Sequence, residues 1–209
     1  MRRIRIALTK GRLEKRAIAL FETMGLDCSQ LIAKGRRLVL PVSDYDAVLA
    51  KAADVITYVE HGTCDIGIVG KDTILEKNPD VYEMVDLNFG KCRFALATKK
   101  GVDFYDDCDE KIIATKYPNV TAEFFEKKNM NIQIIKIEGS VELAPILGLA
   151  DAIVDIVETG TTLKENGLEV MEDVAPISAR VIVNKASMKL HKEEIEQFLK
   201  DIELAKEVC

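Results

Sequence analysis

The sequence predicts an α/β protein with mostly parallel sheets, and three observations carry that prediction. Short apolar, β-branched runs recur throughout the 209 residues, each of a length and composition that suits a buried strand. Segments with apolar residues at helical spacing separate these runs. The two kinds of segment alternate along the chain, the pattern of sheets whose faces are covered by helices. At this length the chain can bury a substantial core, as one large domain or as two small lobes.

The first predicted strand, 4–8, ends at the turn Thr9-Lys10-Gly11-Arg12. Leu13, Ala17, Leu20, Phe21 and Met24 follow at helical spacing, with Gly25 as the stop. Lys10 and Arg12 therefore stand at the carboxyl end of a strand, where α/β sheets bind ligands. Two cations around a glycine favour an anion site there over solvated loop charges. Residues 36–41 and 45–49 read as strands joined by a tight Ser43-Asp44 turn. Arg36 is then either an edge-strand charge or a second anion contact.

Residues 53–61 form a predicted helix and 65–70 a strand, in which Gly67 and Gly70 permit close packing or ligand approach. Lys71-Asp72 starts another helix. Neither a Walker A loop nor a full Gly-x-Gly-x-x-Gly fingerprint is present. Strands are expected over 81–86 and 91–97, and an acidic surface loop over 103–110. A strand over 112–115, a helix over 118–128 with Pro118 in its first turn, and a strand over 132–137 come next. Glu138-Gly139-Ser140 leads into a helix over 141–147 with Ser140 as its N-cap. Strands over 152–157, 168–174 and 179–183 precede a closing amphipathic helix. Its stripe of Ile195, Phe198, Leu199, Ile202, Ala205 and Val208 is core or a subunit contact.

Composition excludes several function classes. Hydrophobic residues at 48% and charged residues at 31% are ordinary for a soluble globular protein. A net charge of −6 argues against a nucleic-acid partner. The five cysteines (28, 64, 92, 108 and 209) are odd in number and lack C-x-x-C spacing, so neither a disulfide framework nor a zinc site is expected. Two histidines, His61 and His191, are too few for a histidine-rich metal site to be expected. The first apolar run is too short for a signal peptide, and no run approaches membrane-spanning length. The expected setting is a reduced cytoplasm, with no membrane association.

Residues 151–163 carry the most chemical information. An apolar run breaks into Glu158-Thr159-Gly160-Thr161-Thr162, too small and polar to stay in a sheet, and a brief helix resumes at Leu163. Strand, hydroxyl-rich loop and helix start form a recurring phosphate cradle, because successive backbone N–H groups converge there. Threonine hydroxyls donate to the same oxygens. Asp155 and Glu158 cannot bind phosphate, but they can accept hydrogen bonds from sugar hydroxyls or hold a divalent cation. Such a site suits a phosphorylated ribose; the competing reading is a capped strand followed by an ordinary turn at Gly160.

Glu142, Gly148, Ala150, Ile153, Asp155, Ile156, Thr159, Gly160, Thr162 and Leu163 together fit the signature of one family. The sequence resembles the short form of ATP phosphoribosyltransferase, which begins histidine biosynthesis. That resemblance implies two α/β lobes like those of a type II periplasmic binding protein, hinged by two crossing segments near 91–98 and 176–183. Lobe one would comprise 1–91 and 180–209, and lobe two, 92–179, would carry the phosphoribosyl pyrophosphate loop. The implied reaction joins N1 of the adenine of ATP to C1 of phosphoribosyl pyrophosphate and expels pyrophosphate. Mg2+ would be bound mainly through the substrate pyrophosphate.

By position, the loop Glu158, Thr159, Gly160, Thr161 and Thr162 would hold the ribose 5-phosphate through its threonines and backbone, with Asp155 and Glu158 on the ribose hydroxyls. Asp151 is equally well structural. By the same resemblance, Lys10 and Arg12, around Gly11, and Arg36 would face the phosphates, Arg12 and Arg36 stabilising the leaving group; Lys51 is a further candidate. Glu138, Gly139, Ser140 and Glu142 would shape the ATP side of the cleft. The implied partners are a histidyl-tRNA-synthetase-like regulatory subunit and a second copy of the chain, a homodimer within a larger hetero-oligomer. No histidine-binding C-terminal domain fits after Val183, so strong intrinsic feedback by histidine is not expected.

Adenine N1 already carries a lone pair, so the scarcity of histidine does not count against this chemistry. Charge management does the work: fixed cations must meet the charge gained by the leaving pyrophosphate. Two other classes compete. A small-ligand binder or sensor of the same architecture would not need an acid-plus-Thr-Gly-Thr cradle. A phosphoribosyltransferase acting on orotate or a purine would usually have adjacent acids before the cradle, whereas Ile156-Val157 separates Asp155 from Glu158.

Overall fold

The computed structural model describes residues 2–106 and 110–207, and the chain divides into two compact units, Met1–Gly90 with Ser178–Cys209, and Lys91–Ile177. The chain passes between them twice. These limits lie one or two residues from those expected for the two lobes.

Unit one begins with β1 (Arg5–Thr9), α1 (Arg12–Thr23) and the short α2 (Ser29–Ile32). The hairpin β2 (Val39–Val42) and β3 (Tyr45–Ala50) follows, then α3 (Ala52–Glu60), β4 (Ile66–Gly70), α4 (Lys71–Lys77) and β5 (Tyr82–Asp86). Unit two contributes β6 (Cys92–Lys99), β7 (Lys111–Thr115), α5 (Pro118–Lys127), β8 (Ile132–Lys136), α6 (Leu143–Ile146), β9 (Ala152–Val157), α7 (Thr161–Glu165) and β10 (Leu168–Ile177). The chain returns to unit one as β11 (Ala179–Val183), α8 (Lys185–Leu190) and α9 (Lys192–Lys206).

Both sheets are mixed, which corrects the expectation of mostly parallel pairing. Unit one has the order β2-β3-β1-β4-β11-β5, with only β3–β1 and β1–β4 parallel. Unit two has the order β10-β6-β9-β7-β8, with β9–β7 and β7–β8 parallel. Outside the β2–β3 hairpin, the cause is the pair of crossing strands. β11 is inserted antiparallel between β4 and β5, and β6 antiparallel between β10 and β9. Strand composition reports burial, not direction, so this is invisible to pattern.

Alternation along β1 sends Ile6 and Leu8 to one face and Ala7 to the other. The first face is covered by α1 and α9, where Phe198 packs on Phe21 (6.0 Å) and Tyr45 (5.0 Å). Ile195, Phe198, Leu199, Ile202 and Ala205 are all buried there. The closing stripe is therefore core rather than a subunit contact; Val208 lies outside the described residues. α3 and α4 cover the second face. A Cβ at Gly67 would come within 2.8 Å of Val59 and 3.0 Å of Val55, so this glycine lets α3 approach the sheet and serves packing rather than ligand. Asp65 is fully buried and fully used: it accepts from Arg2 Nη1 and Nη2 (2.9 and 2.8 Å), from Arg5 N and from Ser187 Oγ.

In unit two, Ala95, Ala97, Ala114, Val141, Ala144, Ile153, Val157 and Leu163 form one core cluster. Phe104 and Phe125 pack as a tilted pair with centroids 5.8 Å apart elsewhere in this unit, both buried. Ser140 is not the cap of α6. Its carbonyl closes a turn with Leu143 N, and Glu142 occupies the cap position, because Val141 is drawn into the core and delays the helix. The acidic 103–110 loop is described only in part, and Cys108 and Cys209 lie outside the described residues.

Candidate active site

In unit one, the first site residues follow the carboxyl ends of parallel neighbours β1 and β3. Lys10 N donates to Ala50 O at 2.9 Å, which sets the Lys10 turn beside Lys51. Gly11 takes φ +99, a conformation that L side chains avoid, and lets the chain turn sharply into α1. Arg12 is the first residue of that helix and is exposed.

A cavity of about 760 Å³ opens beside this turn. Its wall carries five cations, Lys10, Lys15, Lys34, Arg36 and Arg37, against one carboxylate, Glu14. Such concentration in a chain of net charge −6 marks a place for a polyanion. The five are not equivalent. Arg37 is folded back on α2, donating to Lys34 O (3.3 Å), Ala33 O (3.3 Å) and Gln30 Oε1 (3.2 Å), so it closes that helix. Lys34 is paired with Glu14. The side chains of Lys10, Lys15 and Arg36 have no partner among the described residues. Arg36 lies in the turn before β2 rather than in the strand, which removes its reading as an edge-strand charge. Arg12 and Lys51 do not line the cavity, and Lys51 caps α3 with its carbonyl, accepting from Asp54 N and Val55 N.

In unit two the site lies at the carboxyl ends of β7, β8 and β9. Val157 and Leu163, both in the core, pin the loop between them, so residues 158–162 are carried at a fixed place. Gly160 adopts φ +76, and α7 begins right after it, two residues earlier than expected. Thr159 and Thr161 hydroxyls lie 3.0 Å apart, and Thr161 N donates to Thr159 Oγ1 at 3.4 Å. Glu158, Thr159, Thr161 and Thr162 are exposed.

Asp155 is half-buried. Burial pushes its carboxyl above the usual carboxylate range; the backbone of Ile156 and the Lys116 cation oppose this, while the charge of Glu142 reinforces it. Asp155 and Glu142 thus share one electrostatic neighbourhood. Lys116, which follows β7, was not singled out by motif; the register Thr115↔Val154 aligns it with Asp155, a relation available only from strand pairing. Lys15 was missed likewise, since it becomes significant only when the 34–38 segment folds over α1.

Other candidates are placed differently. Glu138 pairs with Lys136 at 2.8 Å, and that hydrogen bond holds its carboxyl below its ordinary value. Gly139 and Ser140 are exposed, and a Cβ at Gly139 would meet nothing, so no close approach requires glycine there. Asp151 is structural: its carboxylate accepts from Ile112 N, and its own N–H donates to Ile112 O, both at 2.8 Å. Burial pushes the thiols of Cys28 and Cys64 up to about 11, so neither offers a thiolate near neutrality.

Comparison with known proteins identifies the family. Residues 51–204 match the model of the family described as HisG, ATP phosphoribosyltransferase. An ATP phosphoribosyltransferase of Clostridium kluyveri is 60% identical over 205 residues, covering 97% of this chain and 94% of the relative. That of Clostridium acetobutylicum is 60% identical over 201 residues, 95% and 94% of the two chains. Among solved structures, a chain of the ATP phosphoribosyl transferase (HisG:HisZ) complex from Thermotoga maritima superposes with TM-score 0.84 at 36% identity, covering 99% of this chain and 100% of that one. The periplasmic aliphatic sulphonate binding protein SsuA from Escherichia coli has TM-score 0.60 at 13% identity, covering 97% and 72%, and shows the fold alone. No helix among the described residues is long and apolar enough to cross a membrane. With the family model matched over residues 51–204 and 60% identity to these enzymes over nearly its whole length, the chain belongs to the ATP phosphoribosyltransferase family.

Proposed function

We infer that the chain carries out the reaction of its family through two sets of residues, one in each unit. The reaction is the first step of histidine biosynthesis: adenine N1 of ATP forms a bond to C1 of phosphoribosyl pyrophosphate as the C1–O bond to pyrophosphate breaks. The observation that carries the assignment is the pinned Glu158–Thr–Gly–Thr–Thr loop after β9, with half-buried Asp155 upstream.

Thr159, Thr161, Thr162 and the backbone around Gly160 supply donors for the 5-phosphate, and Asp155 with Glu158 supplies acceptors for the ribose hydroxyls. The nucleophile needs no base, so the acceleration comes from stabilising the departing pyrophosphate. Arg36, exposed and unpaired, supports that role together with Arg12, and Lys10, Lys15 and Lys51 add positive potential at the same sheet edge. Arg37 does not, because each of its three guanidinium nitrogens is already engaged, on Lys34 O, Gln30 Oε1 and Ala33 O at the end of α2.

The donor set also fits Mg2+ held chiefly by substrate oxygens. Asp155 and Glu142, close enough for the charge of one to act on the other, would offer carboxylate oxygens to an ion whose remaining ligands were substrate oxygens and water. Mg2+ carried by the substrate would neutralise charge on the pyrophosphate. Likeness to the Thermotoga complex supports a HisZ-like regulatory subunit; a homodimer of this chain and a cytoplasmic setting are part of the same proposal. The test is an absorbance assay with ATP and phosphoribosyl pyrophosphate, with and without that subunit and across a histidine titration. Substitution at N1 perturbs the adenine chromophore, and the added subunit should raise the rate and confer inhibition by histidine. A chain that binds phosphoribosyl pyrophosphate yet leaves the adenine spectrum unchanged would be a binder or a different phosphoribosyltransferase.

A further inference from the structure

The single carboxylate in the cation-lined cavity is out of place by charge and is nonetheless buried. Glu14 is only 4% exposed although five cations surround the same space. One oxygen, Oε2, accepts from Gly11 N at 3.3 Å, the half of a capping box that a glycine N-cap allows. The other, Oε1, receives the Lys34 ammonium, twenty residues further on. Lys34 begins the segment that carries Arg36: its carbonyl accepts from Arg37 N at 3.1 Å and from Arg37 Nε at 3.3 Å, and Gly35 turns through φ +57. One carboxylate therefore holds both walls of the cavity, the Lys10-Gly11 turn by its backbone and the 34–37 segment by its lysine.

We propose that Glu14, through Lys34, is a positioning residue that sets Arg36 at the distance from the Lys10-Gly11 turn at which the two walls meet one pyrophosphate group. An ordinary capping box needs no lysine, and a merely structural salt bridge has no need of a cavity wall. Here the partly exposed Lys34, its side chain 36% accessible, is fixed by a carboxylate that solvent hardly reaches. Neutralising one cation while leaving Arg36 unpaired also divides the labour: Lys34 fixes geometry, and Arg36 keeps its charge for the ligand. The inference rests on the role of Arg36 in leaving-group stabilisation proposed above.

The test uses Glu14→Gln, Lys34→Met and Lys34→Arg, alone and as the Glu14→Gln/Lys34→Met pair, with Arg36→Ala as reference. Glutamine keeps an acceptor for Gly11 N and its size, so the turn should fold; thermal denaturation checks this. Misplacement of a transition-state group by about an ångström costs on the order of 10²-fold, so kcat should fall about ten- to a hundredfold in Glu14→Gln and in Lys34→Met. KM for phosphoribosyl pyrophosphate should change much less. The double variant should be no slower than the slower single one, because both break the same link. Lys34→Arg should recover most of the rate. Additive losses, or a fall in melting temperature with wild-type kcat, would overturn the proposal while Arg36→Ala remains slow. A wild-type kcat in Arg36→Ala would overturn the proposal together with the reading it rests on.

Discussion

At the scale of single residues, conformation and charge separate the two halves of the chemistry. Gly160 sits at φ +76 with only Val157 Cγ1 near a virtual Cβ, at 3.8 Å, so its restriction is conformational rather than steric. Gly160→Val would therefore reshape the loop at a cost of roughly 1–2 kcal/mol for the left-handed backbone. Thr159→Ala removes a hydroxyl and should weaken phosphoribosyl pyrophosphate binding by about 1.5–3 kcal/mol, the worth of a hydrogen bond to a charged group. Equilibrium titration checks both; unchanged affinity in the two variants would remove the loop from the site. Asp155 gives a pH signature. A carboxyl raised by folding holds its proton more readily in the folded chain. It therefore favours folding fully below its ordinary value of 3.8, and that contribution is lost as pH rises through the folded-state value. Near neutrality the buried charge costs stability. Asp155→Asn should raise the melting temperature at pH 7, the gain shrinking toward pH 4, while lowering affinity for the ribose substrate. A variant no more stable than wild type at pH 7 would contradict the desolvation account.

At the scale of elements, burial patterns were legible and directions were not. The strand 152–157 and the return strand 179–183 stand where β-branched runs put them. α2 and α8 escaped the reading because four and six residues give periodicity too little length to register. α8 is instead specified by Asn184, whose Oδ1 accepts from Ala186 N and Ser187 N while Nδ2 donates to Val59 O and Glu60 O. The antiparallel insertion of β6 and β11 depends on partners far away in sequence, which no local pattern encodes. For α9 the structure decides between two uses of one stripe. Phe198→Ala should cost about 3–5 kcal/mol in urea denaturation, the loss expected for a fully packed phenylalanine. Leu204→Ser, at a position 70% exposed, should change little. Equal effects from the two would place the stripe outside the core.

At the scale of the molecule, the candidate site residues fall in both units, each set at strand carboxyl ends. The 158–162 loop was legible because its residues are contiguous. The unit-one cavity was only half legible, since Lys10 and Arg36 stand out as charges but Lys15, Glu14 and Lys34 become partners only on folding. Pattern also could not tell Arg36 from Arg37; hydrogen bonding does, by giving Arg37 to α2. That distinction exposes the central claim, that unpaired cations of unit one stabilise the leaving pyrophosphate, to direct measurement. The quantity is the single-turnover rate of Arg36→Ala with ATP and phosphoribosyl pyrophosphate both saturating, alongside Arg37→Ala. Loss of one transition-state donor should slow Arg36→Ala on the order of 10²-fold with substrate affinity nearly unchanged, while Arg37→Ala keeps its rate and loses stability. A wild-type rate in Arg36→Ala would contradict the account.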